Sequence, residues 1–168
     1  MKAILVSVFF IAAFHNISFS QDTINWRADY KLKWEDFQGP ADSSSPHAAV
    51  THYNVSYFYF YRGSSLKTTV SCFFDKKKSW KKTNLDDQLL RHEQGHFDIA
   101  QLTAKKLAKA FAAYKFKAAT VDADLKKIHA AILNEGNMMQ DKYDEETASS
   151  RNNERQEAWL KDIKEQLQ

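Results

Sequence analysis

Between Leu85 and Phe111, the residues Leu85, Leu89, His92, His96, Ala100, Ala104, Leu107 and Phe111 recur at steps of three and four. That recurrence is one face of a helix, and it commits the middle of the chain to a helix running to about Tyr114. Asn84 reads as its N-cap, with Asp86 and Asp87 placed at the positive end of the dipole. An apolar helix face must be covered, and the flanking sequence supplies the cover in two forms. Upstream, Ala48 to Tyr61 is dense in β-branched and aromatic residues, and Tyr53, Val55 and Tyr57 alternate with His52, Asn54 and Ser56. This is the period of a half-buried strand. Arg62-Gly63-Ser64-Ser65 reads as a turn, and Leu66 to Phe74 as the returning strand. Downstream, a second helical region starts near Asp122 with Leu125, Ile128, Ile132 and Met139, and Gly136 predicts a break in it. The polar stretch Ser149 to Asn153 precedes a short last helix carrying Trp159, Leu160 and Ile163. Strands first and helices second predict an α+β fold. In it, a short antiparallel or mixed sheet packs on the long helix, and the C-terminal helices close the other side.

Composition narrows the class. The 168 residues are 43% hydrophobic with four Gly and two Pro, which excludes a disordered or collagen-like chain and suits one domain. A formal charge of +3, from 24 basic and 21 acidic residues, lacks the concentrated basic footprint of a nucleic-acid binder. Lys76-Lys77-Lys78 with Lys81-Lys82 reads as a solvated loop. The single Cys72 sits in an apolar run and reads as a buried small hydrophobe; it leaves the fold to packing or to a metal.

Residues 1–20 read as a secretory signal rather than as part of the fold. Lys2 precedes an apolar run from Ala3 to Phe14 interrupted by Ser7, and Ser18 and Ser20 bracket Phe19 at a small-x-small exit. The run is shorter than the about 20 residues a membrane span needs, so no stable membrane insertion is expected after cleavage. Residues 21–168 then form one exported domain, secreted or periplasmic in a bacterium, since a secreted domain with a single Cys does not depend on disulfides.

His92-Glu93-Gln94-Gly95-His96 falls inside the helical stripe and fits H-E-x-x-H. Positions i and i+4 stack on one helix face, so both imidazoles can reach one ion, and Zn²⁺ accepts nitrogen and carboxylate ligands in a tetrahedron. Glu93 lies to the side of that face, placed to take a proton from a water whose pKa the metal has lowered to about 7. Gly95 permits close approach of another group to the helix. Two histidines that merely pack on a helix would give the same letters without chemistry. His129, beside Ile128 and Ile132, reads as a packed or exposed helical histidine, and His47 and His52 have no partner at ligand spacing. The strand from Ala48 offers an edge on which an extended peptide can align.

Leu32-Lys33-Trp34-Glu35-Asp36-Phe37 with Gly39, Ser79-Trp80, Leu89 to Ile99, and Tyr143-Asp144-Glu145-Glu146-Thr147 with Gln156 and Trp159 together resemble the bacterial "domain of unknown function 922" family. The resemblance implies a small zincin-like domain acting as a secreted zinc-dependent protease on an undefined peptide or protein substrate. The family pattern near the end reads Y-D-x-x-T-x-H-G; here Ser149 and Ser150 stand in place of the His and Gly. A catalytic zinc keeps three protein ligands and a water. Asp144 is the expected third ligand, as an aspartate is in the aspzincin metallopeptidases; Glu146 and an outer role for Asp144 are the alternatives. Tyr143 is read as an oxyanion donor or as a core residue. The expected reading is therefore a Zn²⁺ peptidase with His92, His96 and Asp144 on the metal and Glu93 and Tyr143 in catalysis. The alternative is a degenerate family member acting as a non-catalytic binding module.

Overall fold

The computed structural model describes residues 22–83 and 85–168; the leader reading of residues 1–20 and the N-cap reading of Asn84 lie outside them. Along the described chain come β1 (Thr23–Asn25), β2 (Ala49–Val50), β3 (Tyr53–Arg62), β4 (Ser65–Asp75), β5 (Trp80–Lys81), α1 (Asp87–Ala113), α2 (Val121–Thr147) and α3 (Asn153–Leu167). The class is α+β, and every strand pair is antiparallel.

The tyrosine-rich alternation becomes β3, and Arg62 pairs with Ser65 across a two-residue turn in which Gly63 takes a φ of +58°. β4 is the central strand of the order β1-β4-β3. Its inner face carries Cys72 and Phe74, with Val55 and Tyr57 beside them on β3, and α1 lies across this face. Phe97, Ala100, Ala104, Leu107 and Phe111 fill the space between, with Phe111 edge-on to Tyr57 at 5.0 Å. Burial pushes the Cys72 thiol up to about 12, so it packs as a hydrophobe.

The helix is buried on more than the one stripe that its sequence shows. Ile99 meets Tyr143 of α2 and Ile163 of α3 in a second apolar cluster on the opposite side. α1 is thus the central element, clasped by sheet in front and by helices behind. Its N-cap is Asp86, whose side chain accepts from the Leu89 N–H.

Two expectations change, and one element was missed. The strand predicted from Ala48 to Tyr61 is broken at Thr51-His52, and β2 leaves to pair with β5 in a separate two-stranded sheet. The break is fixed by side chains: the Thr51 hydroxyl donates to the Glu93 carbonyl at 3.2 Å, and the His52 N–H donates to the buried Ser79 hydroxyl at 2.8 Å. β1 was not legible, because three residues carry no measurable period. Nor does α2 break at Gly136. A Cβ there would stand 2.5 Å from Thr103 Oγ1 on α1, so the glycine allows two long helices to touch.

The basic loop is also less solvated than its composition suggests. Lys76 pairs with Asp36 at 3.5 Å, Lys82 donates to the Ser45 carbonyl, and Lys81 lies over the Trp34 ring. These contacts fasten the irregular N-terminal segment to the β5 side of the domain. Among the described residues, no helix is long and apolar enough to cross a membrane.

Candidate metal centre

His92 and His96 leave α1 one turn apart, as the helix dictates, and Asp144 reaches them from α2. Their atoms form a small triangle: His92 Nε2 to Asp144 Oδ1 is 3.0 Å, His96 Nε2 to Asp144 Oδ1 is 3.2 Å, and Nε2 to Nε2 is 3.2 Å. Ligand atoms bonded to one tetrahedral zinc at about 2.0–2.1 Å stand about 3.3–3.4 Å apart. The observed edges are a few tenths of an ångström shorter, so small outward movements would seat the ion.

The outer hydrogen bonds decide which nitrogens face inward. The Gln140 amide N–H donates to the His96 carbonyl at 2.9 Å, which turns its oxygen onto His96 Nδ1 at 2.7 Å. An amide oxygen only accepts, so Nδ1 carries the proton and Nε2 presents a lone pair. The Thr147 hydroxyl donates to the Tyr143 carbonyl at 2.7 Å and leaves its own lone pair toward His92 Nδ1 at 3.5 Å. His92 Nε2 is thereby also a lone-pair donor to an ion. Three electron-rich atoms this close repel one another unless a cation, proton or metal, sits among them.

The electrostatics agree. Burial alone would depress the His96 pKa, but its hydrogen bond to Asp144 and the charge of Glu93 leave it raised. Burial pushes the Asp144 carboxyl up, yet the hydrogen bonds from His92 and His96 prevail and hold it well below the usual carboxylate range. Both shifts favour a proton on the imidazoles beside an ionised Asp144 carboxylate.

Glu93 is 3% exposed, and its Oε2 has no hydrogen-bond partner among the described residues. It lines the same cleft of about 630 Å³ as the triangle, together with His47, Ala49, Thr51, Ser149 and Arg151. A buried carboxylate oxygen without a partner is a group waiting for a proton donor in the cleft.

Tyr143 is placed differently from its reading as an oxyanion donor. It is 0% exposed, its ring stacks on His92 at 4.6 Å, and its hydroxyl donates to the His92 carbonyl at 3.3 Å. The phenol supports the imidazole from behind the helix and does not reach the cleft. This also explains Gly95: a Cβ there would fall 2.7 Å from Tyr143 Cζ. The alternative ligand Glu146 is likewise corrected. It accepts from the Trp159 indole at 2.8 Å and pairs with Arg155, tying α2 to α3.

Of the predicted residues, His92, His96, Asp144 and Glu93 share the cleft, and Ser149 lines its wall. His129 Nε2–H donates to the Val55 carbonyl of β3 at 3.2 Å and lies outside that cleft. Gln140 and the role of Thr147 were missed. Their signal is a stripe of inward polar residues on α2: Gln140, Tyr143, Asp144 and Thr147 recur at i, i+3, i+4 and i+7. Gln94 and Asp98 were missed as well. Gln94 accepts from the Leu32 N–H at 2.8 Å and donates to Asp98, which also accepts from the Trp26 indole at 2.7 Å. They bind the N-terminal segment to the back of α1.

The family model described as "Bacterial protein of unknown function (DUF922)" matches residues 27–151. No curated protein and no solved structure matches the chain.

Proposed function

The chain belongs to the DUF922 family of bacterial proteins of unknown function, and from the site it carries we propose that it is a secreted zinc-dependent peptidase. The observation that carries the reading is the inward triangle of His92 Nε2, His96 Nε2 and Asp144 Oδ1 beside the unpartnered Glu93 carboxylate. The set fits zinc by donor type, by spacing and by the outer bonds that fix each imidazole. A zinc ion held there would supply a Lewis acid for a carbonyl oxygen and a lowered pKa for a water.

The chain's own residues supply the rest. Glu93 holds the attacking water and takes its proton, then returns it to the departing amine as the peptide bond breaks. Its burial keeps the transfer away from bulk solvent. Tyr143 and Gln140 keep the two imidazoles from turning during the reaction. A peptide is suggested by the cleft wall. Lys82 N–H donates to the Ala48 carbonyl, and Val50 pairs with Trp80, so alternation turns the Ala49 N–H and C=O away from β5. An extended substrate backbone can pair there. Part of the strand edge expected for this role is taken, since His129 covers the Val55 carbonyl. Export rests on the N-terminal reading of Lys2, the run Ala3 to Phe14, and Ser18 and Ser20.

The test is Glu93→Gln. It should bind zinc as the parent does and lose hydrolysis of a peptide library by about a hundredfold or more, the scale of general base catalysis. Loss of zinc, or unchanged turnover, contradicts the role. The second reading, a binding module, is favoured by Ser149 standing where the family pattern has His. Zinc bound by a parent chain that hydrolyses no peptide would support it.

A further inference from the structure

The hairpin of β3 and β4 ends in an aromatic tip that the core does not use. Phe58 is 65% exposed and Phe60 57%, although neighbouring Tyr57 and Tyr59 turn inward and Tyr61 packs on Phe116 at 5.0 Å. Phe58 and Phe60 lie 6.3 Å apart on the outer face, where register sets Thr69 opposite Phe58, Lys67 opposite Phe60, and Ser65 opposite Arg62. Large apolar side chains grouped at one exposed place point to a surface that covers them.

Charge says what kind of surface. From Ala48 to Phe74 the sequence has no Asp or Glu, in a chain that has 21 of them. Arg62 and Lys67 therefore flank the two phenylalanines without a carboxylate on the same face, and neither makes an ion pair among the described residues. Shape narrows it further. The two rings stand on the outer face beside a two-residue turn, and neither lines the cleft beside the histidines. A stable protein partner needs about 800 Å² from each side, more than two phenylalanines on a projecting turn present. An interface of lipid headgroups asks for less, taking aromatic rings at shallow depth and cations at its phosphates.

We propose that the β3–β4 tip, through Phe58, Phe60, Arg62 and Lys67, docks the domain peripherally on an anionic lipid surface. The geometry leaves the cleft free. Tyr53, at the start of β3, lines the cleft, and Arg62 at the tip lies nine residues further along the strand, each rising about 3.3 Å. Docking would hold the opening about 30 Å from the bilayer. The proposal does not depend on peptidase activity.

The experiment uses residues 21–168, which contain every element of the described fold and omit an apolar leader that would bind bilayers by itself. Flotation with phosphatidylcholine vesicles, with and without phosphatidylglycerol, reads the partition. Binding should require the anionic lipid and weaken with salt. Phe58→Ser with Phe60→Ser should lower it about tenfold or more, and Arg62→Glu with Lys67→Glu comparably, since all four side chains are outside the core. Circular dichroism of the variants should match the parent. Equal binding to neutral vesicles, no binding to either, or phenylalanine variants that bind like the parent would overturn the proposal. So would a parent dimer in solution that the phenylalanine changes dissolve, because a second copy would then be the occupant.

Discussion

The Gln140 amide donates to the His96 carbonyl and accepts at His96 Nδ1, so that ring has only Nε2 to offer an ion. Gln140→Leu keeps the volume but removes both bonds, leaving the imidazole free to turn. Zinc affinity should fall by about 10–100-fold, read by competition with a chromophoric chelator, while the fold persists. The same residues set a pH signature. The raised His96 pKa contributes stability to the metal-free chain that is full below the ordinary imidazole value of 6.5 and lost as pH rises through the folded value. The lowered Asp144 pKa contributes stability present above the ordinary carboxylate value of 3.8 and lost as pH falls toward the folded value. The two overlap between those values, so the metal-free chain should show its highest Tm between about pH 4 and 6.5 in a thermal melt series. Zinc must displace the His96 proton, so the gain in Tm from added zinc should instead grow as pH rises toward 8. A metal-free Tm that climbs steadily to pH 8 would contradict the paired site.

At the scale of elements, the end of α2 is where sequence and backbone disagree. Ala148, Ser149 and Ser150 follow one another at φ of 49°, 49° and 75°, a left-handed run without a glycine. Each such residue is disfavoured by roughly 1–2 kcal/mol. The turn persists because Ser149 N–H donates to the Asp144 carbonyl, Asn152 N–H to Thr147, and Gln88 of α1 clasps the Ser150 carbonyl. At its φ of 75° Ser150 occupies backbone space that glycine adopts without a side-chain penalty. Ser150→Gly should raise stability by about 1 kcal/mol in urea denaturation without altering zinc binding. No change or a loss would mean that the seryl side chain holds the turn. The long helices, the hairpin and the H-E-x-x-H pair were legible because each repeats a period over many residues. β1 and β2 were not, being three and two residues long and defined by distant partners. Gly136 misled for a related reason: its meaning lies in Thr103 on another helix.

Across the whole molecule, α1 is held by everything else, and the site inherits its rigidity from that position. The sheet packs on one side of it, α2 brings Asp144 and Gln140, and α3 closes the back through Trp159 against Tyr143 and Gln156 onto the Gln88 carbonyl. Sequence showed the two histidines and Glu93, since one helix turn sets their relation. It favoured Asp144 as a third ligand but left Glu146 and an outer role for Asp144 open, because only the packing of α2 on α1 and α3 separates the two carboxylates. Asp144 faces the imidazoles, and Glu146 faces Arg155 and Trp159. The most direct measurement is a zinc titration of residues 21–168 beside its Asp144→Ala variant at neutral pH. The account predicts one zinc per parent chain and an affinity at least about a hundredfold weaker in the variant, as loss of one of three ligands requires. A parent chain that takes up no zinc, or a variant that binds it as tightly, would contradict the account.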